Sequence, residues 1–331
     1  MQSLSRKKKI FLAAFIVLAL IGAVLYKLAD RYLIEHVEVV VASPSLDKSD
    51  DSISDSTVNE ADGGSAGADN QSEDAGSDSQ AVADDWNYKS EDATISIQKE
   101  QTGSGEDTIT YFVADVTVKD ASSLLTAFAK NAFGTNITQD TSTIAENNNA
   151  IFAINGDYYG FRDDGVVVRN GTVYRDEPAR EGFAAFEDGT MRSYDENTES
   201  TSDLIAAGVT NTFSFGPALV QDGEAITYTG KVTIDTNFGN RSIQAANPRT
   251  GIGMIAPNHY VFVVVDGRDT GYSRGMTLTE FSQLFVDLGA TEAYNLDGGG
   301  SSTMYFNGRV VNNPQGKGQE RGVSDIIYIP E

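Results

Sequence analysis

The residues best suited to chemistry lie in one short segment, Asn295-Leu296-Asp297-Gly298-Gly299-Gly300-Ser301-Ser302. Glycines let the backbone approach a ligand closely, and an aspartate beside them can act as a base, a nucleophile or a metal ligand. Two similar turns occur earlier in the chain, Asp266-Gly267-Arg268 and Asn155-Gly156-Asp157. Each of the three follows an apolar run, so we expect them to meet in one site.

The elements that carry these turns follow a strand–helix–strand order. Residues 260–265 are a continuous apolar run, which predicts a strand buried on both faces. Thr277 and Glu280 form a capping box that opens a helix, Gly289 ends it, and 291–296 is the next strand. Such a unit makes its strands parallel, so both would end at the same edge of the sheet.

The remainder of the domain is predicted to combine this parallel unit with antiparallel hairpins. Residues 151–154 look like a third apolar strand, residues 121–131 show helical spacing, and several Asn-Gly and Asp-Gly pairs mark hairpin turns. The predicted fold class is α+β: a mixed β-sheet with β-hairpins, a parallel βαβ unit and few flanking helices, preceded by one transmembrane helix.

The N-terminal part of the chain predicts a membrane anchor. Residues 1–9 form a basic tail, and 10–29 are predicted to be an uncleaved transmembrane signal-anchor. Residues 30–85 are predicted to be a stalk and an acidic, disordered linker. That assignment leaves 86–331 as one extracellular domain on a single-pass membrane protein, with the N-terminus in the cytoplasm.

Composition excludes several functional classes. The net charge is −24, so binding of nucleic acid is not expected. There are no cysteines and only two histidines, His36 and His259, so thiol catalysis, a Ser-His-Asp triad and a zinc site of His or Cys are not expected either. Carboxylates, arginines, Asn, Ser and glycine amides remain. They suit glycosyl transfer with two carboxylates or metal-assisted phosphate chemistry.

Together the motifs resemble the phosphodiester glycosidase family over residues 151–329. The resemblance rests on the three turns already described, on Pro248-Arg249-Thr250-Gly251-Ile252-Gly253, and on Thr277-Leu278 with Glu280. It implies hydrolysis of a sugar-1-phosphodiester, with an N-acetylglucosamine-like sugar, at the bond between C1 and oxygen. We expect an exopolysaccharide or cell-wall glycopolymer as the substrate, because of the predicted anchor.

Roles for individual residues follow as hypotheses. Asp297 and Asp266 are expected to be catalytic, as nucleophile or base and its partner. Arg249 and Arg268 are expected to hold the phosphate. The other predicted substrate-binding residues are Asn155, Asp157, Arg180, Asn295, Gly298, Gly299, Gly300, Ser301 and Arg321. Glu280 is interpreted as a helix cap.

Two alternatives remain open at this point. The domain could bind carbohydrate or assist exopolysaccharide assembly without turnover. It could also be a metal-dependent phosphodiesterase that cuts the P–O bond, with Asp157, Asp266 and Asp297 as ligands. No cofactor is certain from the sequence, although a divalent cation is compatible with it.

Overall fold

The computed structural model describes residues 6–41, 81–227, 232 and 243–331. Most of the predicted linker lies outside these ranges. Within them the chain forms four α-helices: α1 (Arg6–Tyr32), α2 (Thr141–Asn147), α3 (Thr201–Ala206) and α4 (Leu278–Asp287). The first eleven strands are β1 (His36–Val40), β2 (Val82–Ala83), β3 (Asn87–Lys89), β4 (Ala93–Thr102), β5 (Ile109–Val118), β6 (Leu125–Phe128), β7 (Ala132–Thr135), β8 (Ala150–Asn155), β9 (Gly165–Arg169), β10 (Thr172–Glu177) and β11 (Glu181–Phe186). The remaining strands are β12 (Met191–Asp195), β13 (Val209–Phe213), β14 (Ala218–Gln221), β15 (Glu224–Ala225), β16 (Arg249–Ala256), β17 (His259–Val265), β18 (Glu292–Asn295), β19 (Met304–Phe306), β20 (Arg309–Val310) and β21 (Asp325–Pro330).

Two large sheets build the domain. A nine-stranded sheet has the order β15-β14-β18-β16-β17-β5-β4-β3-β2, and a five-stranded sheet has the order β20-β19-β8-β21-β6. Their inner faces share one apolar cluster, in which the rings of Phe152 and Phe262 lie 5.1 Å apart. A three-stranded sheet, β12-β11-β13, adds Phe183 and Phe213 to the same cluster. The core is therefore a layer between sheets.

Strand β17 is buried on both faces, as its continuous apolar run predicts. Tyr260, Phe262 and Val264 point into the cluster between the sheets. The alternate residues Val261, Val263 and Val265 join a second cluster with helix α4. Because successive side chains of a strand point to opposite faces, a layer on each side requires apolar residues at every position.

Helix α4 begins and packs as its sequence predicts. Thr277 Oγ1 accepts from the Glu280 amide, and the Glu280 carboxylate accepts from the Thr277 amide at 2.8 Å. Hydrogen bonding to Arg274 and Thr277 outweighs partial burial and lowers the pKa of Glu280 to about 2. Glu280 therefore caps the helix. Gly251 and Gly253 of β16 leave room for the phenylalanines of this helix.

The predicted parallel βαβ unit and mixed sheet are wrong. Every strand pairing in the described residues is antiparallel, and the domain is mostly β-sheet. Strands β17 and β18 run in the same direction, but β16 lies between them and pairs with both. The crossover through α4 spans this inserted strand, so the α+β class with adjacent parallel strands is corrected to an antiparallel sheet packed on other sheets.

The predicted transmembrane helix is also wrong. Helix α1 is 27 residues long, but no helix of the described residues is long and apolar enough to cross a membrane. Charged residues flank its uncharged run on both sides, from Arg6 to Lys9 and again from Lys27. The run between them, 10–26, extends only about 25 Å, short of a hydrocarbon core of about 30 Å. This finding overturns the single-pass membrane localisation and the extracellular placement that depended on it.

Candidate functional site

Three chain segments meet at one edge of the nine-stranded sheet. Strands β17 and β18 end there, and the antiparallel β16 begins there. The register pairs Arg249 with Val265 on one side and Gly251 with Asn295 on the other. Continued by two residues, the second pairing places Arg249 opposite Asp297. The inserted strand thus brings an arginine to the end of the strand that carries the aspartate.

A cavity of about 160 Å³ opens at this edge. It is lined by three arginines, one acid, a glycine turn and a small apolar group: Arg249, Arg268, Arg321, Asp297, Gly298, Gly299, Asn247, Pro248, Tyr158, Phe215 and Ile243. The volume is below the roughly 300–1,000 Å³ of pockets for drug-sized ligands. It therefore suits a small anionic group with part of a sugar.

Asp297 is the acid in the lining of this cavity, and it is 8% exposed. Its Oδ2 accepts from Ser301 Oγ at 2.6 Å and lies 3.5 Å from Arg321 Nη2. Arg321 Nη2 also donates to Ser301 Oγ at 2.6 Å. Burial raises the pKa of Asp297, while Arg321, Ser301 and Arg162 oppose that rise. The carboxylate is thus largely buried, held in one orientation by Ser301 and close to cations, which suits a base or a nucleophile.

Arg249 is a buried cation held by backbone carbonyls. Its Nε donates to Met276 O at 3.0 Å, and its Nη2 donates to Ala245 O at 2.8 Å and to Ile243 O. Burial lowers its pKa to about 10, so it stays charged at neutral pH. No carboxylate within the described residues forms an ion pair with it. Its charge is therefore available to an anion in the cavity.

Arg268 and Arg321 pack on consecutive glycines of the turn. A Cβ at Gly299 would lie 3.0 Å from Arg268 Nη2, and a Cβ at Gly300 would lie 3.2 Å from the Arg321 side chain. Gly299 also has φ +63°, a backbone conformation that favours glycine. The Gly299 amide donates to Pro248 O at 2.9 Å, so it serves the turn itself and is not open to a phosphate.

Asn155 connects the two large sheets beneath the site. It lies at the end of β8 in the five-stranded sheet and is fully buried. Its Nδ2 donates to the Asp297 backbone oxygen at 2.7 Å, and its Oδ1 accepts from Thr250 Oγ1 at 2.7 Å. Asn295 is also buried and donates to Gly216 O at 2.8 Å. Neither amide lines the cavity, so both support the turn from behind.

Asp266 lies outside the cavity lining, although its strand ends at the same edge. It is 2% exposed, and its carboxylate accepts from Tyr272 OH, Asn312 Nδ2 and the Asn313 amide at 2.9–3.0 Å. Burial raises its pKa despite these bonds. With β16 inserted, Asp266 and Asp297 end strands about two spacings, or roughly 9.6 Å, apart. Asp266 therefore holds the neighbouring loop.

Asp157 and Arg180 are likewise bound away from the cavity. Asp157 is buried beside Arg169 and Asp325, a pair of residues that the sequence analysis did not identify. Arg180 pairs with Asp164 and donates to Ser214 Oγ at 2.9 Å. Asp157 and Arg180 are polar and lie near the cavity, as the sequence predicted. Their hydrogen bonds go to neighbouring residues behind the cavity wall, so they support that wall.

Sequence reasoning also missed the apolar part of the lining. Tyr158 follows Asn155-Gly156-Asp157 directly, so its place beside a predicted site turn was the available signal. Phe215 and Ile243 carried no comparable signal in the sequence. They become neighbours of Tyr158 only through the fold.

A metal site is not formed by the predicted ligands. No group of three or more His, Cys, Asp or Glu side chains suited to a metal occurs among the residues that the structure describes. Asp157, Asp266 and Asp297 each belong to a separate hydrogen-bond network. The donor set proposed for a metal-dependent phosphodiesterase does not converge.

The chain resembles a known family and several known proteins in sequence. A sequence profile described as phosphodiester glycosidase matches residues 148–330. YomE, an uncharacterised SPbeta prophage protein of Bacillus subtilis, is 32% identical over 206 residues, which are 60% of this chain and 30% of that protein. The N-acetylglucosamine-1-phosphodiester alpha-N-acetylglucosaminidase of Bos taurus is 27% identical over 141 residues, which are 41% of this chain and 26% of that protein.

The fold is also similar to that of a solved structure. The catalytic domain of the zebrafish N-acetylglucosamine-1-phosphodiester alpha-N-acetylglucosaminidase, auto-inhibited by its pro-peptide, aligns with a TM-score of 0.55 at 20% identity. The alignment covers 73% of this chain and 84% of that one. The chain spans less than a third of the length of the curated relatives named above. The profile match confirms the resemblance that the motifs predict over 151–329.

Proposed function

Because the chain belongs to the phosphodiester glycosidase family, we propose that it hydrolyses a sugar-1-phosphodiester, with N-acetylglucosamine as the sugar, at the bond between C1 and oxygen. The observation that carries the proposal is the cavity in which the buried carboxylate of Asp297 lies among three arginines. The polymeric substrate predicted earlier depended on a membrane anchor, and it is not part of this proposal.

The arginines supply the phosphate site. A phosphodiester carries one negative charge, and guanidinium groups bind phosphate oxygens in pairs with charge-assisted hydrogen bonds. Arg249 gives a buried charge at the base of the cavity, whereas Arg268 is exposed and Arg321 half-exposed at its rim. This arrangement anchors the diester by its phosphate and leaves the sugar beside Asp297.

Asp297 supplies the group that meets the anomeric carbon. Breaking the C1–O bond releases a phosphate monoester and leaves positive charge on the sugar ring, which a carboxylate stabilises. Asp297 acts on that carbon either as the nucleophile or as the base that takes a proton from the attacking water. The phosphate leaves as a stable anion, so the site needs no strong general acid. One carboxylate in the lining is therefore sufficient.

The test is product analysis with a methyl phosphodiester of N-acetylglucosamine. We expect the full chain to release free N-acetylglucosamine and methyl phosphate. Asp297→Asn should lower kcat by about 10²–10⁴-fold, the usual contribution of such a group. Asp287→Asn is the matched control, because this exposed aspartate on α4 lies away from the cavity and should leave turnover unchanged.

Other outcomes would reject the proposal. Release of N-acetylglucosamine-1-phosphate and methanol would mean P–O cleavage and a phosphodiesterase. Binding of the diester without either product would support a carbohydrate-binding role. Full activity in Asp297→Asn would show that the chemistry takes place elsewhere.

A further inference from the structure

The cavity has an apolar side that the phosphate chemistry does not use. Phe215 and Ile243 belong to one buried cluster, and Tyr158 packs against it. The rings of Tyr158 and Phe215 lie 6.3 Å apart in an edge-to-face arrangement. Arg268 and Arg321 instead line the cavity from the glycine turn. We call Tyr158 and Phe215 the aromatic wall.

Asp157 fixes both members of the aromatic wall through the backbone. Its Oδ1 accepts from the Tyr158 amide at 2.6 Å, and its Oδ2 accepts from the Ser214 amide, next to Phe215, at 2.6 Å. These two amides belong to segments that are far apart in the sequence. One carboxylate therefore fixes the backbone beside both rings. The rings themselves also contact neighbouring side chains: Phe161 stacks on Tyr158 at 4.8 Å, and the Arg162 guanidinium lies 5.2 Å from the Tyr158 ring and 5.1 Å from the Phe215 ring.

Asp157 is itself held from behind by a buried ion pair. Asp325 Oδ1 accepts from the Asp157 amide at 2.8 Å, and Asp325 Oδ2 accepts from Arg169 Nε at 2.8 Å. Arg169 Nη2 lies 3.9 Å from Asp157 Oδ2. A Cβ at Gly156 would lie 2.3 Å from Asp325 Oδ1, so only glycine allows this approach. The cluster is buried and lies outside the cavity lining.

We propose that the aromatic wall binds the sugar ring of the substrate and that Asp157 is the positioning residue that keeps Tyr158 and Phe215 in place. Sugar rings present C–H faces that rest against aromatic rings, whereas a phosphate has no such face. This inference rests on the proposed function of the cavity. It divides the site into an aromatic wall that recognises the sugar and arginines that recognise the phosphate.

The experiment compares two competitive inhibitors, free N-acetylglucosamine and inorganic phosphate. Asp157→Asn keeps the shape of the side chain but sets an NH₂ group against one of the two amides. Leaving an amide unpaired should weaken the sugar subsite roughly tenfold. We expect Ki for N-acetylglucosamine and KM for the diester to rise by that factor in Asp157→Asn and in Tyr158→Ala, with Ki for phosphate unchanged.

Arg268→Gln provides the opposite change. We expect it to raise Ki for phosphate and leave Ki for N-acetylglucosamine unchanged. Tyr158→Ala keeps the test decisive if Asp157→Asn does not fold, because Tyr158 is half-buried and lies outside the ion-pair cluster. An equal rise of both inhibition constants in Asp157→Asn and Tyr158→Ala would indicate a general structural role and overturn the proposal.

Failure of this inference is separable from failure of the proposed function. Calorimetric titration of the wild-type chain and Tyr158→Ala with N-acetylglucosamine requires no turnover. If the wild-type chain binds N-acetylglucosamine and Tyr158→Ala binds it more weakly, the aromatic wall is supported even if the diester is not hydrolysed. Hydrolysis of the diester with equal sugar affinity in both proteins would leave the proposed function standing and refute the aromatic wall.

Discussion

Replacing Arg321 by Gln should move the acid limb of the pH–activity profile upward. Asp297 must be ionised to act, so kcat/KM falls as the pH drops through its pKa. Burial raises that pKa, and Arg321 is the largest opposing influence. Removing the guanidinium removes an influence that lowers the pKa of Asp297. The pKa therefore rises further, and the acid limb moves to higher pH.

The separation of the charges gives the magnitude. At 3.5 Å two unit charges interact by about 1 kcal/mol in a water-like dielectric and by about 5 kcal/mol at an effective dielectric of 20. The Arg321 side chain is 49% exposed, and solvent screens such a group strongly, so the lower figure applies. About 1 kcal/mol corresponds to roughly 0.7 pH unit.

The assay is kcat/KM for the methyl phosphodiester measured from acidic to neutral pH. Arg321→Lys is the control: it keeps the charge, so its limb should stay close to that of the wild type even if the rate falls. The loss of a phosphate contact lowers the height of the profile in both variants and does not move the limb. A limb in Arg321→Gln that stays in place or moves to lower pH would refute the assigned link between Arg321 and Asp297.

Two further variants test the parts that hold the site. Asp266→Asn should lower the free energy of unfolding by about 2 kcal/mol in urea titrations, because Asn cannot accept all the bonds that the carboxylate receives; unchanged stability would contradict its role in holding the loop. Gly299→Ala should cost about 1–2 kcal/mol, since L-residues are strained at φ +63°, and should raise KM by displacing Arg268. If Gly299→Ala has the same melting temperature and the same KM as the wild type, the turn tolerates a side chain and this prediction is wrong.

Local patterns in the sequence predicted the elements that depend on their own residues. The capping box of Thr277 and Glu280 and the strand 260–265 are both present, since a cap needs only neighbouring groups and a doubly buried strand needs apolar residues throughout. The expectation that Asp266 and Asp297 end strands at one edge also agrees with the topology. What the sequence did not indicate is the strand between them.

Strand β16 was missed because its sequence is a poor strand pattern. Glycines in a strand interior usually weaken it, and β16 contains Gly251 and Gly253. Their role becomes visible only once α4 is in place, because a Cβ at either position would lie 2.9 Å from a phenylalanine ring of that helix. The inserted strand then changes the site, since it separates Asp266 from Asp297 and adds Arg249 between them.

The helix predicted over residues 121–131 is wrong for a related reason. Its apolar spacing fits a helix, yet residues 125–128 form β6 and pair with β21. Lys130 and Asn131 have positive φ, which interrupts a helix. Long-range pairing in the five-stranded sheet overrides local preference here. Asn155 and Asp157 lie behind the cavity and outside its lining, because their burial is a property of the packed sheets that the sequence does not reveal.

The bond between Asn155 and the main-chain oxygen of Asp297 has a practical consequence. Asn155 does not contact the carboxylate, so the link between the sheets survives any replacement of that side chain. A protein with Asn at 297 should therefore keep an intact cavity while losing turnover. Such a protein would retain an uncleaved diester long enough for crystallography, and immobilised on a resin it would capture natural ligands from cell extracts.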